Sequence, residues 1–481
     1  MVVVLLQGCT PTPDNVQKAS SKPEIFPDYA EVTIPADIAP LNFNVLGDGV
    51  EAVYVTMKGE AGSEIIASGR DNLADFDIDE WHSLLEANKG KALSVTVIAK
   101  ENGQWKEYEP FNIFVSNNAM EDYGLTYRRI APGYEVYSKM GIYQRCLQDF
   151  NEEPIIENTI APGACINCHS SNATNPDQFT FHVRGMNGAT VVKDGELLEA
   201  LQARNDTLGG SMVYPYWHPS GKFCAYSTNS THQAFHSVAN ERIEVYDTAS
   251  DVFVYNPQTH EIIKDTMLFT QDHFETYPAF SPDGKTLYFV SSLKKEIPAE
   301  YKEIRYDLCS IAFDAEKAQY GDKVDTLFAA SKQGKSLVMP RPSYDGKYLM
   351  FTLADYGCFP IWHKEADLWL MDLQTGESRP MDEVNSDDTE SFHNWSSNSH
   401  WFVFSSRRGD GLYTRLYLSS IDAQGKATKP FLLPQKNPQK YYGETVFSFN
   451  VPDFTNKKVD LNAHEAAKKI RSEVRVGTKV K

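Results

Sequence analysis

The sequence predicts an all-β chain: a β-propeller of about five to six blades preceded by a small immunoglobulin-like β-sandwich. Two observations predict it. The second half carries a repeat whose turn glycines, Gly221, Gly284 and Gly346, lie 63 and 62 residues apart. The first third consists of short alternating runs separated by Gly, Pro and Asp.

The repeat opens at Tyr214 (YPYWHPSGKFCAYSTN), Tyr277 (YPAFSPDGKTLYFVSS), Met339 (MPRPSYDGKYLMFTLAD) and Phe392 (FHNWSSNSHWFVFSSRR). In each copy an apolar strand enters, a Ser/Pro/Asp/Gly turn reverses it, and an alternating strand leaves. Gly supplies the positive φ that such a turn needs. About four strands per fifty to sixty residues make one propeller blade. The fourth copy departs from the pattern, with Ser397-Asn398-Ser399 in place of Pro-Asp-Gly. Four copies do not close a ring. The flanks LTYRRIAPGYEVYSKMGIYQRCL and FTFHVRGMNGATVVKDGE can supply strands before the first copy, and YYGETVFSFNVPDF one at the end.

The N-terminal unit is expected over 30–117, from runs such as VEAVYVTMKG and LSVTVIAKE; its helical exception is DEWHSLLEANKG. Strands at this spacing suggest a sandwich. The propeller is expected over 118–456, with a haem-binding insertion near 146–180, and a charged tail over 457–481 that forms a short helix or frays. Residues 1–29 read as a signal remnant and linker. LQGC, ending at Cys9, resembles a lipobox, although Gln7 stands where a small residue is usual and no basic stretch precedes it. The Pro- and Ser-rich stretch after it reads as a tether, which would place Cys9 as a lipidation site. No run approaches the eighteen or more apolar residues of a membrane span. Net charge is −19, a surface that repels phosphate backbones and argues against nucleic acid as a partner.

PGACINCHSSN contains Cys165, Cys168 and His169, and CxxCH is the attachment signature of c-type haem. Two thioethers reach the vinyl groups on one porphyrin edge, and the following imidazole ligates iron, which would make His169 the proximal ligand. The alternatives are a chance arrangement, a redox CxxC pair and half a zinc site. Zinc usually needs a second ligand pair, which the sequence lacks, and a thioredoxin-like pair needs a βαβ setting. The second axial ligand stays open among His182, Met186 and Met212, with His218, His232 and His236 as further options. Histidines also accumulate along the propeller, where loops of distant blades converge. Glu275, Thr276, Ser336, Glu390, Ser391 and Ser211 precede or open inner strands and are expected to line a polar channel. Cys146, Cys224, Cys309 and Cys358 are scattered singly, and spacing implies no disulfide among them. No GxSxG, P-loop or Rossmann fingerprint is present.

Over roughly Tyr214 to Pro434 the repeat resembles the TolB-like propeller motif PxxSPDGxxLxFxS, a WD40-like repeat. The whole chain resembles Bacteroidetes-type lipoproteins that join a lipobox, a β-domain, one CxxCH followed by FHxRG, and TolB-like repeats. That resemblance implies an exported protein of the cell envelope, facing the periplasm or the surface, with the outer membrane favoured. It also implies one covalent haem c. The first functional expectation is a non-catalytic cytochrome c for electron transfer, docking a protein redox partner or envelope complex, with lipid its sole membrane attachment. The alternatives are a haem-free TolB-like protein- or ligand-binding scaffold and a haem enzyme such as a peroxidase.

Overall fold

A computed structural model describes residues 12–131, 139–161, 163–185, 187–202, 208, 210–236 and 243–481. The chain is all-β, and its core is a β-propeller. Six four-stranded antiparallel sheets follow one another, with inner strands Ser448–Thr455, Cys165–Asn172, Ser211–Trp217, His273–Phe280, Ser336–Pro342 and Glu390–Trp395 for blades 1 to 6. Each inner strand touches the inner strands on both sides, so the ring closes.

Closure is made by the two ends of the propeller segment. Ser448–Thr455 pairs antiparallel with Gly124–Ile130, which leads into Gly141–Cys146 and Glu152–Glu157 to complete blade 1. The chain then runs on outside the ring. Helix α1 of this tail, Ala463–Arg471, buries Ala466, Ala467 and Ile470 against blade 2. Lys479–Val480 adds a parallel strand to the outer edge of blade 3. The tail thus covers sheet edges that would otherwise offer unpaired backbone groups.

The turns explain how blade 6 survives without Pro-Asp-Gly. In blades 4 and 5 a serine hydroxyl donates to the turn aspartate, Ser281 to Asp283 and Ser343 to Asp345, both at 2.6 Å. Asn398 takes that role in blade 6, accepting from Ser396 at 2.8 Å. Gly221, Gly284 and Gly346 lie at φ of 71°, 72° and 73°, and Ser399 adopts the same left-handed conformation at 61°. Asn and Ser can replace Asp and Gly here because the side-chain hydrogen bond, which the amide oxygen also accepts, holds the turn.

The N-terminal unit has a seven-stranded and a three-stranded sheet with one helix, Ile78–Ala87, capped by Asp77. Its core is continuous with blades 6 and 1: Tyr29, Phe43 and Trp81 share a cluster with Trp401, Leu418 and Phe449. Trp401 is fully buried there and donates Nε1 to the Asn118 carbonyl at 3.2 Å.

The expectation of a haem-binding insertion near 146–180 is corrected. Glu152–Glu157 is the outer strand of blade 1, and Cys165–Asn172 and Asn175–Arg184 are the two inner strands of blade 2. The alternation in FTFHVR and the turn at Ala173-Thr174, both left-handed, make an ordinary blade hairpin. Cys9 lies outside the described residues, and no described helix is long and apolar enough to cross a membrane.

Trp401→Ala should lower unfolding free energy by about 3–5 kcal/mol, the cost of a large cavity with a stranded carbonyl. Urea denaturation followed by circular dichroism checks this. A loss below about 1 kcal/mol would mean that the N-terminal unit and blade 6 do not share a core.

Candidate functional site

Each inner strand carries one non-glycine residue in the left-handed region. These are Val451, Cys168, Tyr214, Tyr277, Met339 and Phe392, one per blade, at φ between 48° and 55°. The ladder shifts register around each of those in blades 2 to 6. Such a bulge leaves one residue unpaired and re-aims its side chain. Here all six side chains face one central cavity of about 360 Å³.

The residue after each bulge is Pro452, His169, Pro215, Pro278, Pro340 or His393. Proline suits a site that does not need to donate to the ladder. Cys168-His169 is therefore the blade 2 copy of the pair that reads Tyr-Pro in blades 3 and 4. His169 and its blade 6 counterpart, His393, are both buried, and burial pushes both imidazoles down to about 3. His169 Nε2 meets the Thr126 hydroxyl of blade 1 at 3.1 Å, and His393 Nε2 donates to the Met350 carbonyl at 3.0 Å.

These residues do not fit a thioether-anchored haem. Ligation through Nε2 would break the contact between His169 and Thr126. His182 is buried within blade 2 against the Thr190 hydroxyl at 3.0 Å, and Met212 is buried in the core between blades 2 and 3. Neither lines the cavity. Met186 lies outside the described residues. His218 ties two turns together, donating Nε2 to the Gly284 carbonyl at 3.0 Å and accepting from Ser220 at Nδ1. His232 is exposed and stacks on Tyr246. His236 follows the second strand of blade 3, outside the cavity lining. Among the described residues no three His, Cys, Asp or Glu side chains gather as a metal would require. The described cysteines, Cys146, Cys165, Cys168, Cys224, Cys309 and Cys358, are all free.

The channel residues expected from sequence are corrected as well. Ser211, Glu275, Thr276, Ser336, Glu390 and Ser391 do not line the cavity. They pack within or between blades. Glu390 pairs with Arg408 at 2.9 Å and accepts from Ser386 and Ser406. Glu275 accepts from Thr270 at 2.8 Å, but its Oε2 has no hydrogen-bond partner, and burial pushes its carboxyl up to about 8.

What lines the cavity instead is aromatic and cationic. Tyr214 and Tyr277 pack with centroids 4.3 Å apart. Among the described residues four arginines reach the wall, Arg128, Arg184, Arg341 and Arg407, against one acid, Asp453. Asp453 accepts from the Ser171 amide at 2.8 Å and from Asn394 Nδ2 at 2.6 Å; burial raises its carboxyl to about 7 against the pull of these bonds and of Arg341. Arg407 stacks over Trp362 at 4.2 Å and pairs with Asp388 at 3.1 Å. Several wall atoms are buried without a hydrogen-bond partner among the described residues: Asn167 Oδ1, His169 Nδ1, Asn172 Oδ1, and Arg407 Nε and Nη1. Buried polar atoms are normally satisfied by protein groups or by ordered water.

The two long strands of blade 3, Cys224–Phe235 and Ile243–Asn256, contribute Thr231, Gln233, Phe235, Ile243 and Val245 to the lining. They are tied to the 355–365 loop of blade 5. Tyr356 donates to Glu244 at 2.8 Å, and His363 Nε2 lies 3.4 Å from the same carboxylate.

Sequence reasoning missed all four arginines. Arg341 and Asp453 stand two residues past the bulge, so aligning Cys168-His169 with Tyr214-Pro215 would have pointed to them. Arg128 and Arg184 lie on second strands and carry no such marker.

No protein-family model matches the chain. It is similar to dipeptidyl-peptidase 5 of Porphyromonas gingivalis, 26% identical over 170 residues, which are 34% of this chain and 20% of that protein. The chain thus spans about a fifth of the curated relative it matches. Among solved structures it is similar to the β-propeller domain of the Trilobed protease from Pyrococcus furiosus, at 11% identity and TM-score 0.32, covering 76% of this chain and 95% of that one. It is also similar to the tricorn protease, at 11% identity and TM-score 0.34, covering 72% and 34%.

These findings correct the first functional expectation. The sequence similarity leads to a dipeptidyl peptidase and not to a cytochrome. The wall of blade 2 uses Cys168-His169 as a bulge pair. Cytochrome c, haem iron and electron transfer are set aside, and a haem-free propeller scaffold fits better.

Glu275 yields a test of the buried acids. Its folded-state pKa is raised, so the unfolded chain loses the proton first, and stability falls as pH rises from about 4.5 to about 8. Glu275→Gln should remove that loss. The variant should gain on the wild type by a few kcal/mol, on the order of magnitude of such shifts, between pH 5 and pH 8.5. Urea titrations at the two pH values measure the difference, and equal slopes with pH would refute it.

Proposed function

We propose that this chain is a haem-free binding propeller whose central cavity receives a small molecule of the size of a short peptide. The observation that carries this reading is the closed ring of six left-handed side chains around a cavity whose wall holds buried polar atoms without a hydrogen-bond partner among the described residues. A mostly apolar pocket with a few convergent polar groups is the usual form of a small-ligand site, and about 360 Å³ is within its usual range. The similarity to dipeptidyl-peptidase 5 makes a short peptide the ligand class to test first. An envelope location, with the chain exported and Cys9 lipidated, belongs to the same proposal and places the cavity where extracytoplasmic peptides are met.

The test is calorimetric titration of apolar di- and tripeptides into wild-type protein and into Val451→Tyr. Tyrosine already occupies the equivalent bulge in blades 3 and 4, so the backbone accepts it, while its ring would fill the cavity. Binding to the wild type with at least tenfold weakening in Val451→Tyr is expected. Folded wild type that binds no peptide, or a variant that binds as well, would overturn the reading.

A further inference from the structure

We infer that Arg128 and Arg184, brought together from blades 1 and 2, form a clamp for the terminal carboxylate of the ligand. This rests on the reading of the central cavity as a binding site and names the chemistry that would be recognised there.

The argument begins with charge. The chain carries −19 overall, yet among the described residues its cavity wall holds four arginines and one aspartate. Two of the arginines have anionic company: Arg407 pairs with Asp388, and Arg341 feels Asp453. Of the other two, Arg184 feels Asp247, and neither forms an ion pair with a carboxylate among the described residues. Arg128 donates Nε to the Ile166 carbonyl at 2.9 Å, and its Nη2 reaches two sulfur atoms among the described residues, Cys165 Sγ at 3.2 Å and Met140 Sδ at 3.8 Å. Sulfur is a weak acceptor. Arg184 stands opposite Cys165 in the ladder of blade 2. The acid whose charge reaches it is Asp247, which is already held by Asn229 Nδ2 at 2.6 Å and Thr231 at 2.7 Å. Among the described residues no carboxylate pairs with Arg128 or Arg184.

Both arginines adjoin the same cysteine of the cavity wall: Arg128 Nη2 lies 3.2 Å from Cys165 Sγ, and Arg184 stands opposite Cys165 in the ladder; the charges of both also bear on the Cys168 thiol. There the ring of bulge side chains meets the wall of blade 2. Holding two like charges close together inside the fold is costly, and an anion seated between them lowers the cost. Planar guanidinium forks match a carboxylate in a bidentate manner. The rest of the ring, including Tyr214, Tyr277, Met339 and Phe392, offers an apolar surface to the body of the same ligand. The ligand class is therefore an apolar molecule ending in a carboxylate, such as a peptide with a free C-terminus.

The experiment compares N-acetyl-Phe-Leu as the free acid and as the C-terminal amide, titrated into wild type, Arg184→Gln and Arg184→Lys. Arg184 is the better variant because no side-chain hydrogen bond ties it to another described residue, and unchanged melting temperature verifies the fold. The acid should bind wild type at least tenfold tighter than the amide. Arg184→Gln should abolish that preference while leaving the affinity for the amide unchanged, and Arg184→Lys should keep part of it. Equal binding of acid and amide by wild type, or a preference that survives in Arg184→Gln, would overturn the clamp while leaving the cavity a binding site. If neither compound binds, the peptide reading fails, and the clamp is judged on sodium acetate alone. A rise in melting temperature with acetate that is lost in Arg184→Gln supports it. No rise, or a stronger response to inorganic phosphate, overturns the carboxylate assignment.

Discussion

The rest of the structure depends on one backbone constraint, a left-handed residue repeated at the same level of all six inner strands. Six strands converging on one axis must each present a side chain inward without crowding their neighbours. A bulge provides this by breaking the alternation at one place and turning that side chain into the centre. The conformation is unfavourable for residues such as Val451 and Tyr277, by roughly 1 kcal/mol or more each. Packing of the blades against one another offsets it. The pair Cys168-His169 obeys this constraint before any other, which is why a motif with a strong chemical meaning in other settings sits here as part of a wall.

Closure follows from the same geometry. A ring of sheets has no natural end, so the last strand must find the first. Ser448–Thr455 does so by pairing with Gly124–Ile130 across more than three hundred residues of chain. The two partners are then fastened from outside. The N-terminal unit shares its core with blades 6 and 1, and the C-terminal tail lies over blades 2 and 3. Most of the chain outside the propeller thus braces the segments on either side of the closing seam.

The cavity inverts the sign of the protein that contains it. The chain as a whole carries −19, while arginines from blades 1, 2, 5 and 6 line the cavity. The acids that do lie inside the fold are neutralised or tied. Glu390 is enclosed by Arg408 and two serines, and burial raises Glu275 and Asp453 toward the protonated form. The proposed clamp of Arg128 and Arg184 draws on this asymmetry.

The sequence by itself determined the fold class. Turn glycines spaced by one blade, and strand alternation on both sides of them, are local signals, because hairpin geometry depends on neighbours in the chain. The ring of six, the central cavity and the pairing of Arg128 with Arg184 were decided by the tertiary structure alone. Arg128 and Arg184 lie on different blades, and nothing in the residues around either shows that they face one cavity. CxxCH shows the same limit from the other side. Its spacing is legible, but the meaning of Cys168 and His169 depends on a bulge that exists only because six strands meet at one axis.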